Sequence, residues 1–214
     1  MQGRKISLWI VVGAWFAFTA GCAGGSHPSA PDYQSKIPRS VAVLPVLNET
    51  VSLKAPEMFR PLVLNKLSMK GYETPALSSI DGLLLEKEIR EAGQINSLTP
   101  QALGQLLRVD ALLYTTVTEF STTYLLAYAS VTVAARFELK DAKTGEKLWE
   151  AEKQVKESKL GLDQKSAGDT LKFAVGQSYL PYCQKVVDAG FSTLPNGPKA
   201  SAPARSGGCL MPGL

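Results

Sequence analysis

The chain has 214 residues, 45% of them hydrophobic and 20% charged, with a formal net charge of +4 at pH 7. Its basic residues are scattered among acidic ones, so the sequence lacks the concentrated basic surface typical of a nucleic-acid-binding protein. One histidine and three cysteines are too few for a zinc site, and they leave a Ser/His/Asp or Cys/His catalytic group without a base.

The first 21 residues have the features of an export signal. Arg4 and Lys5 precede an apolar run, 8–18, that is about as long as a signal-peptide core and shorter than a transmembrane helix of roughly 20 residues. The next four residues, Thr-Ala-Gly-Cys, resemble the lipobox of bacterial lipoproteins. This resemblance implies cleavage between Gly21 and Cys22, diacylglycerol on the Cys22 thiol, and an acyl chain on the new amine. An ordinary cleaved signal or an uncleaved anchor is the alternative.

Ala23 follows the cysteine where lipoproteins held in the inner membrane carry aspartate, so the resemblance implies sorting to the outer membrane. The periplasmic face is favoured over the cell surface. Two or three acyl chains would hold the protein stably, because each buried methylene contributes roughly 0.8 kcal/mol. Apart from this covalent lipid, no cofactor is expected.

Composition divides the rest of the chain into three parts. Residues 22–37 are rich in Gly, Ser, Pro and Ala and are typical of a flexible tether; residues 38–194 form the predicted domain, and 195–214 are predicted to be disordered. Cys183 and Cys209 form an even pair in an exported chain, which is consistent with a disulfide bond or with two free thiols.

The first half of the domain predicts a buried strand over 40–46, a helix ending at Gly71, a short strand over 72–76, and helical segments over 80–92 and 101–107. Pro61 is compatible with the first helix only if that helix begins near Met58 or bends. Glu86, Glu88 and Glu91 alternate with basic residues and indicate a solvated helix face.

The second half predicts strands. Residues 111–117 form an apolar β segment, 131–140 alternate as in a half-buried antiparallel strand, and 148–155 return after a turn over 141–145. Residues 171–191 predict a final helix that Pro181 must bend or break. The order favours an α+β domain with one sheet, mostly antiparallel in its later strands, and helices on one face.

One connection is unusually apolar. The segment 120–128 either extends the adjacent strands into the core or forms a protein-binding surface through Phe120, Tyr124, Leu126 and Tyr128. A different hypothesis is a domain that binds or processes a small ligand or a cell-wall glycan, using Glu119 and Trp149. No catalytic or metal-binding residues are predicted, because no recognisable motif for either is present. Lys-Thr-Gly at 143–145 matches one motif of penicillin-interacting serine enzymes, but the chain lacks the Ser-x-x-Lys motif that accompanies it, and 143–145 is interpreted as a turn.

Several blocks in order, 37–48, Gly71-Tyr72, 111–119 and 131–150, together resemble a family of bacterial lipoproteins of unknown function that includes a vaccine-candidate antigen. The resemblance implies a fold similar to the amino-terminal domain of TolB, which also occurs in CsgG and LpoB. It further implies a non-catalytic protein that binds envelope partners such as CsgG-like lipoproteins, or associates with itself, and carries no catalytic residues to transfer.

Overall fold

A computed structural model describes residues 36–125, 128–161, 168–169, 173 and 178–199, and its centre is a five-stranded mixed sheet. The strands are β1 (Val41–Val43), β2 (Leu47–Asn48), β3 (Ala111–Leu125), β4 (Tyr128–Asp141) and β5 (Lys147–Leu160). The helices with described bounds are α1 (Lys54–Met69), α2 (Leu77–Glu86), α3 (Ala92–Ile95), α4 (Pro100–Leu107) and α5 (Leu180–Phe191).

The strands lie in the order β1-β3-β4-β5, and β2 pairs with β3 beyond the end of β1. Both short strands are parallel to β3, whereas β3, β4 and β5 are antiparallel to one another. The predicted α+β class with one mixed sheet is therefore confirmed. The predicted alternation in β4 is confirmed over 135–140, where Ala135, Phe137 and Leu139 are buried and the residues between them are partly exposed; it is wrong over 131–134, where Thr132 and Ala134 are buried as well as Val131 and Val133.

Helices cover both faces of the sheet around β1, so the prediction of helices on one face is wrong there. Val41 and Val43 belong to the core formed with α1 and α5, whereas Ala42 and Leu44 pack with α2, α3 and α4. Successive side chains of a strand point to opposite faces. The uninterrupted apolar run at β1 is therefore explained by burial on both sides.

Backbone details correct several predicted boundaries in the first half. α1 begins at Lys54, well before Met58, and contains Pro61 on its exposed side, where water can bond the carbonyl that the proline leaves unpaired. The predicted helix over 80–92 ends at Glu86, and Glu88 has a positive φ of 60°. The predicted strand over 72–76 is reduced to one parallel bridge between Ser40 and Glu73.

The end of the domain also differs from the prediction. α5 begins at Leu180, so Pro181 lies in its first turn, where a missing N–H costs nothing. Composition placed residues 195–199 in the disordered tail, but the structure holds them against the end of α1. The Tyr72 hydroxyl donates a hydrogen bond to the Pro195 carbonyl, and the Gly197 N–H donates one to the Lys70 carbonyl. Among the described helices, none is long and apolar enough to cross a membrane.

Candidate interaction surface

Strands β3, β4 and β5 continue well beyond the part of the sheet that β1 and β2 reach. The last pairing of β2 is Asn48 with Val117, after which the register of β3 against β4 shifts between Val117 and Glu119. A bulge of this kind bends a strand and increases its twist. The three long strands thus form an extension of the sheet, which we call the distal sheet (residues 119–125, 128–134 and 154–160).

Phe120 belongs to the core of the distal sheet. Its side chain is only 7% exposed, and its ring stacks on that of Tyr179, with centroids 4.1 Å apart. The hydroxyls of Thr122 and Tyr179 are also hydrogen-bonded. Of the two interpretations of segment 120–128, the structure bears out strand extension, since β3 runs to Leu125 and β4 begins at Tyr128. Phe120 therefore offers no exposed contact area.

The end of the distal sheet exposes large apolar side chains. Tyr124 is 41% exposed, Leu125 66% and Leu160 64%. Leu125 pairs with Tyr128, and Tyr128 with Leu160, so these three side chains lie side by side across the sheet. Leu126, predicted to belong to this surface, lies outside the described residues. The patch on this face therefore includes one predicted residue, the half-buried Tyr128, whereas Tyr124 precedes Leu125 in β3 and is exposed on the opposite face.

Polar groups surround Tyr128 at this end. A hydrogen bond with the Ser130 side chain lowers the pKa of Tyr128, and the positive charge of Lys156 lowers it further, against a smaller opposing effect of burial. The phenol is thus held by neighbours on β4 and β5, and its ring is oriented on the sheet.

The structure does not bring together the two residues of the ligand-binding hypothesis. Trp149 is buried against Phe191, and its indole N–H donates to Thr193 Oγ1 at 3.1 Å. Glu119 lies on the opposite face, where its carboxylate accepts from Ser121 Oγ and Gln154 Nε2. Each has a local structural role, and the sheet separates them.

Open cavities occur at the carboxyl end of β1, around Pro45. Three adjoining cavities of about 200, 330 and 470 Å³ share this proline among their lining residues. Arg60 spans two of them; its guanidinium donates to the Val43 carbonyl and pairs with Asp81 at 2.6 Å. This ion pair ties α1 to α2 and β1, so the most prominent charged pair here has a structural explanation.

The other motifs singled out in the sequence have structural explanations too. The Lys143 and Thr144 N–H groups both donate to Asp141 Oδ1 at 2.8 Å, and Gly145 has a φ of 76°, which makes 141–145 a tight turn as predicted. Glu86, Glu88 and Glu91 are exposed, but only Glu86 lies in a helix, so the predicted helix face is wrong for the other two. Within the described part of the chain, no cluster of His, Cys, Asp or Glu could hold a metal ion.

Cys183 lies in the core and is fully buried. Burial raises the pKa of its thiol to about 12. The thiol is therefore protonated at neutral pH and is a weak nucleophile. Cys209, the partner of Cys183 in the disulfide alternative, and Cys22, the predicted lipidation site, lie outside the described residues.

Val51 and Leu53 were not singled out in the sequence. They are 98% and 87% exposed in the loop between β2 and α1. The loop is ordered by its own polar groups: Asn48 Nδ2 donates to the Ser52 carbonyl at 2.8 Å, and the Thr50 hydroxyl donates to Asn48 Oδ1 at 2.8 Å. In the sequence, Val51 and Leu53 alternate with a polar residue, Ser52, as apolar residues of a strand do. The conformation of the loop directs both of their side chains to solvent.

A family model described as "Putative lipoprotein GNA1162-like" matches residues 30–191. "Putative lipoprotein NMB1124/NMB1162" of Neisseria meningitidis serogroup B is 30% identical over 134 residues, which are 60% of this chain and 62% of that protein. The match thus spans less than two thirds of that relative's length.

Solved structures also resemble this fold. Lipoprotein GNA1162 from Neisseria meningitidis has a TM-score of 0.55 at 27% identity, covering 65% of this chain and 97% of that one. The PelC dodecamer from Paraburkholderia phytofirmans gives 0.46 at 15% identity, covering 73% and 89%. The LpoB C-terminal domain from Escherichia coli gives 0.40 at 15%, covering 60% and 95%. Of these three structures, GNA1162 alone exceeds a TM-score of 0.5.

Proposed function

Because this chain belongs to the GNA1162-like lipoprotein family, we propose that it is a non-catalytic, lipid-anchored protein of the outer membrane that acts by binding other envelope proteins. The observation that carries the binding part is the exposed apolar end of the distal sheet, where Leu125 and Leu160 flank Tyr128 on one face and Tyr124 is exposed on the other. Exposed apolar patches on soluble domains mark interaction sites, and aromatic residues are enriched in them.

The anchor is Cys22, after cleavage of the Gly21–Cys22 bond. Its acyl chains hold the amino terminus in the membrane, and residues 23–35 set how far the domain extends from it. The folded body begins close to this tether, because Ile37 packs against the core and Lys36 pairs with Glu146 at 3.1 Å. The folded domain, with its distal sheet, is therefore attached to the bilayer by a short tether. It lies on the periplasmic side of the outer membrane.

Fatty-acid labelling in cells tests the anchor. A clickable palmitate analogue should label the wild type, and Cys22→Ala should abolish the label and release the protein from the membrane fraction. Cys183→Ser is the matched control, because this buried cysteine is not a site of acylation. Equal labelling of Cys22→Ala would contradict the anchor.

The binding surface is tested by in-cell crosslinking, followed by detergent extraction and mass spectrometry of what is recovered. We expect envelope proteins, CsgG-like lipoproteins foremost, with the wild type. Tyr124→Glu and Leu126→Glu should reduce their recovery without changing the melting temperature. Leu85→Glu serves as the control, since it charges an apolar residue that is 56% exposed, somewhat more than Tyr124 at 41%, but lies on α2. Unchanged recovery with both distal variants would contradict this surface.

A further inference from the structure

We propose that two copies of this chain pair antiparallel through the free edge of β3, residues 119–125, in a two-fold dimer centred on Thr122. The inference names a partner for the distal sheet, and so it rests on the proposed function of that region as a protein-binding surface. Its evidence is the pairing of the backbone, the composition of the two sheet edges and the position of the Val51 loop.

Within the described part of the chain, no strand pairs with the outer edge of β3 beyond the end of β2. The Glu49 N–H donates to the Val117 carbonyl at 3.0 Å, and beyond this bond the described residues pair 119–125 with β4 alone. Residues of a strand turn their N–H and C=O groups alternately to either side. Val117 turns toward β2, and the register shift after it leaves Phe120, Thr122 and Tyr124 with their backbone groups directed away from β4.

The two outer edges of the distal sheet differ in composition. On β5, Lys153, Lys156 and Lys159 provide the charges with which natural sheets prevent edge-to-edge pairing. On β3, the only charged residue between 119 and 125 is Glu119 at the start, and the others are Phe, Ser, Thr, Tyr and Leu. The β3 edge is therefore open to pairing and the β5 edge is protected.

The β3 edge is also complementary to itself. In an antiparallel pair centred on Thr122, each Phe120 lies opposite the second copy's Tyr124, and the two Thr122 residues face each other. Tyr179 covers the Phe120 ring and bonds the Thr122 hydroxyl, so the pairing is made chiefly by the backbone, and no like charges are opposed, because Glu119 faces Leu125. About six backbone hydrogen bonds would form. A two-fold axis requires this kind of reciprocal contact.

The exposed loop fits the same arrangement. The antiparallel direction places the Leu125 end of one copy beside the point where β2 leaves the β3 edge of the other. That point is followed directly by the ordered loop carrying Val51 and Leu53. Dimerisation would thus bring together three of the most exposed aliphatic side chains of the domain, Val51, Leu53 and Leu125.

A cysteine at the axis tests the proposal in the full-length protein. Directly opposed residues of an antiparallel pair have Cα atoms about 5.5 Å apart at hydrogen-bonded positions, which is within disulfide range. In a Cys209→Ser background, Thr122→Cys should therefore give a reducible dimer on mild oxidation of membranes. Ser158→Cys, on the β5 edge, is the matched control and should remain monomeric.

A second variant prevents pairing at the β3 edge by removing a backbone hydrogen-bond donor. Thr122→Pro deletes an N–H that faces away from β4, so the sheet keeps its internal bonds while the dimer loses its central donors. Sedimentation in detergent should show a dimer for the wild type and a monomer for Thr122→Pro, with Ser158→Pro still dimeric. A wild-type monomer, or equal crosslinking at positions 122 and 158, would overturn the proposal.

The experiments distinguish failure of the proposed dimer from failure of the proposed function. Recovery of other envelope proteins with no Thr122→Cys dimer would overturn the dimer and leave the proposed function standing. A Thr122→Cys dimer with no other protein recovered would support the dimer and contradict binding of CsgG-like partners.

Discussion

The ring of Tyr179 stacks on the ring of Phe120 at an interplanar angle of 20°, although 59 residues of sequence separate them. Tyr179 precedes α5 directly, so this contact joins the start of the last helix to the distal sheet. It covers the one aromatic residue of the predicted surface that is buried.

We expect Tyr179→Ala to destabilise the domain by about 1–3 kcal/mol, because it uncovers Phe120 and leaves a gap in the packing. Tyr179→Phe keeps the stacked ring and loses only the hydrogen bond to Thr122, at a cost of about 1 kcal/mol. Urea unfolding followed by tryptophan fluorescence measures both variants. Equal losses for the two variants would show that stacking contributes little.

Two helical glycines should respond in opposite ways to alanine. A Cβ on Gly104 in α4 would overlap the Ala142 side chain, whereas one on Gly82 in α2 would meet nothing. Gly104→Ala should therefore destabilise the domain by about 1–3 kcal/mol through overpacking. Gly82→Ala should stabilise it by up to about 1 kcal/mol through helix propensity. Melting temperatures of the two variants test this, and a stabilised Gly104→Ala would contradict the close packing of α4.

Acid should destabilise the domain partly through Asp110, which joins β1 to β3. Burial disfavours the charged carboxylate, but hydrogen bonds from the Ser40 N–H and hydroxyl and the Arg39 N–H outweigh it and lower the pKa of Asp110. A lowered folded-state pKa gives stability that is present above the unfolded value of about 3.9 and is lost as pH falls through the folded value.

Asp110→Asn should accordingly lower the free energy of unfolding at pH 7 and flatten its decline below about pH 4. Glu86→Gln, at an exposed position on α2, is the control and should follow the wild type. Unfolding curves between pH 2 and pH 7 give the comparison, in which a wild-type slope for Asp110→Asn would count against this role.

Cys183 should resist thiol reagents in the native protein, because burial raises its pKa to about 12 and closes access to it. Maleimide should label this residue only after urea unfolding, as read from its tryptic peptide by mass spectrometry. Thr123→Cys, at an exposed position on β3, should be labelled at once under native conditions. Rapid native labelling of Cys183 would show that α5 opens.

Local patterns predicted much of the second half of the fold. The alternation over 131–140 and the turn at 141–145 specify a hairpin, because side-chain period and turn chemistry act over a few residues. The resemblance of blocks to a lipoprotein family predicted the family correctly. The exposed pair Val51 and Leu53 was missed, since their exposure depends on hydrogen bonds from Asn48 and not on the apolar pattern.

The sequence by itself determined the class of the domain, the pairing of its last strands and the burial of one face of β4, all properties of short segments. The tertiary structure alone decided that helices cover both faces of β1, that Tyr179 buries Phe120, and that β3 continues past its last pairing with β2. These depend on contacts between distant segments, and periodicity describes only how apolar residues are spaced within one segment, not which other segment will cover them.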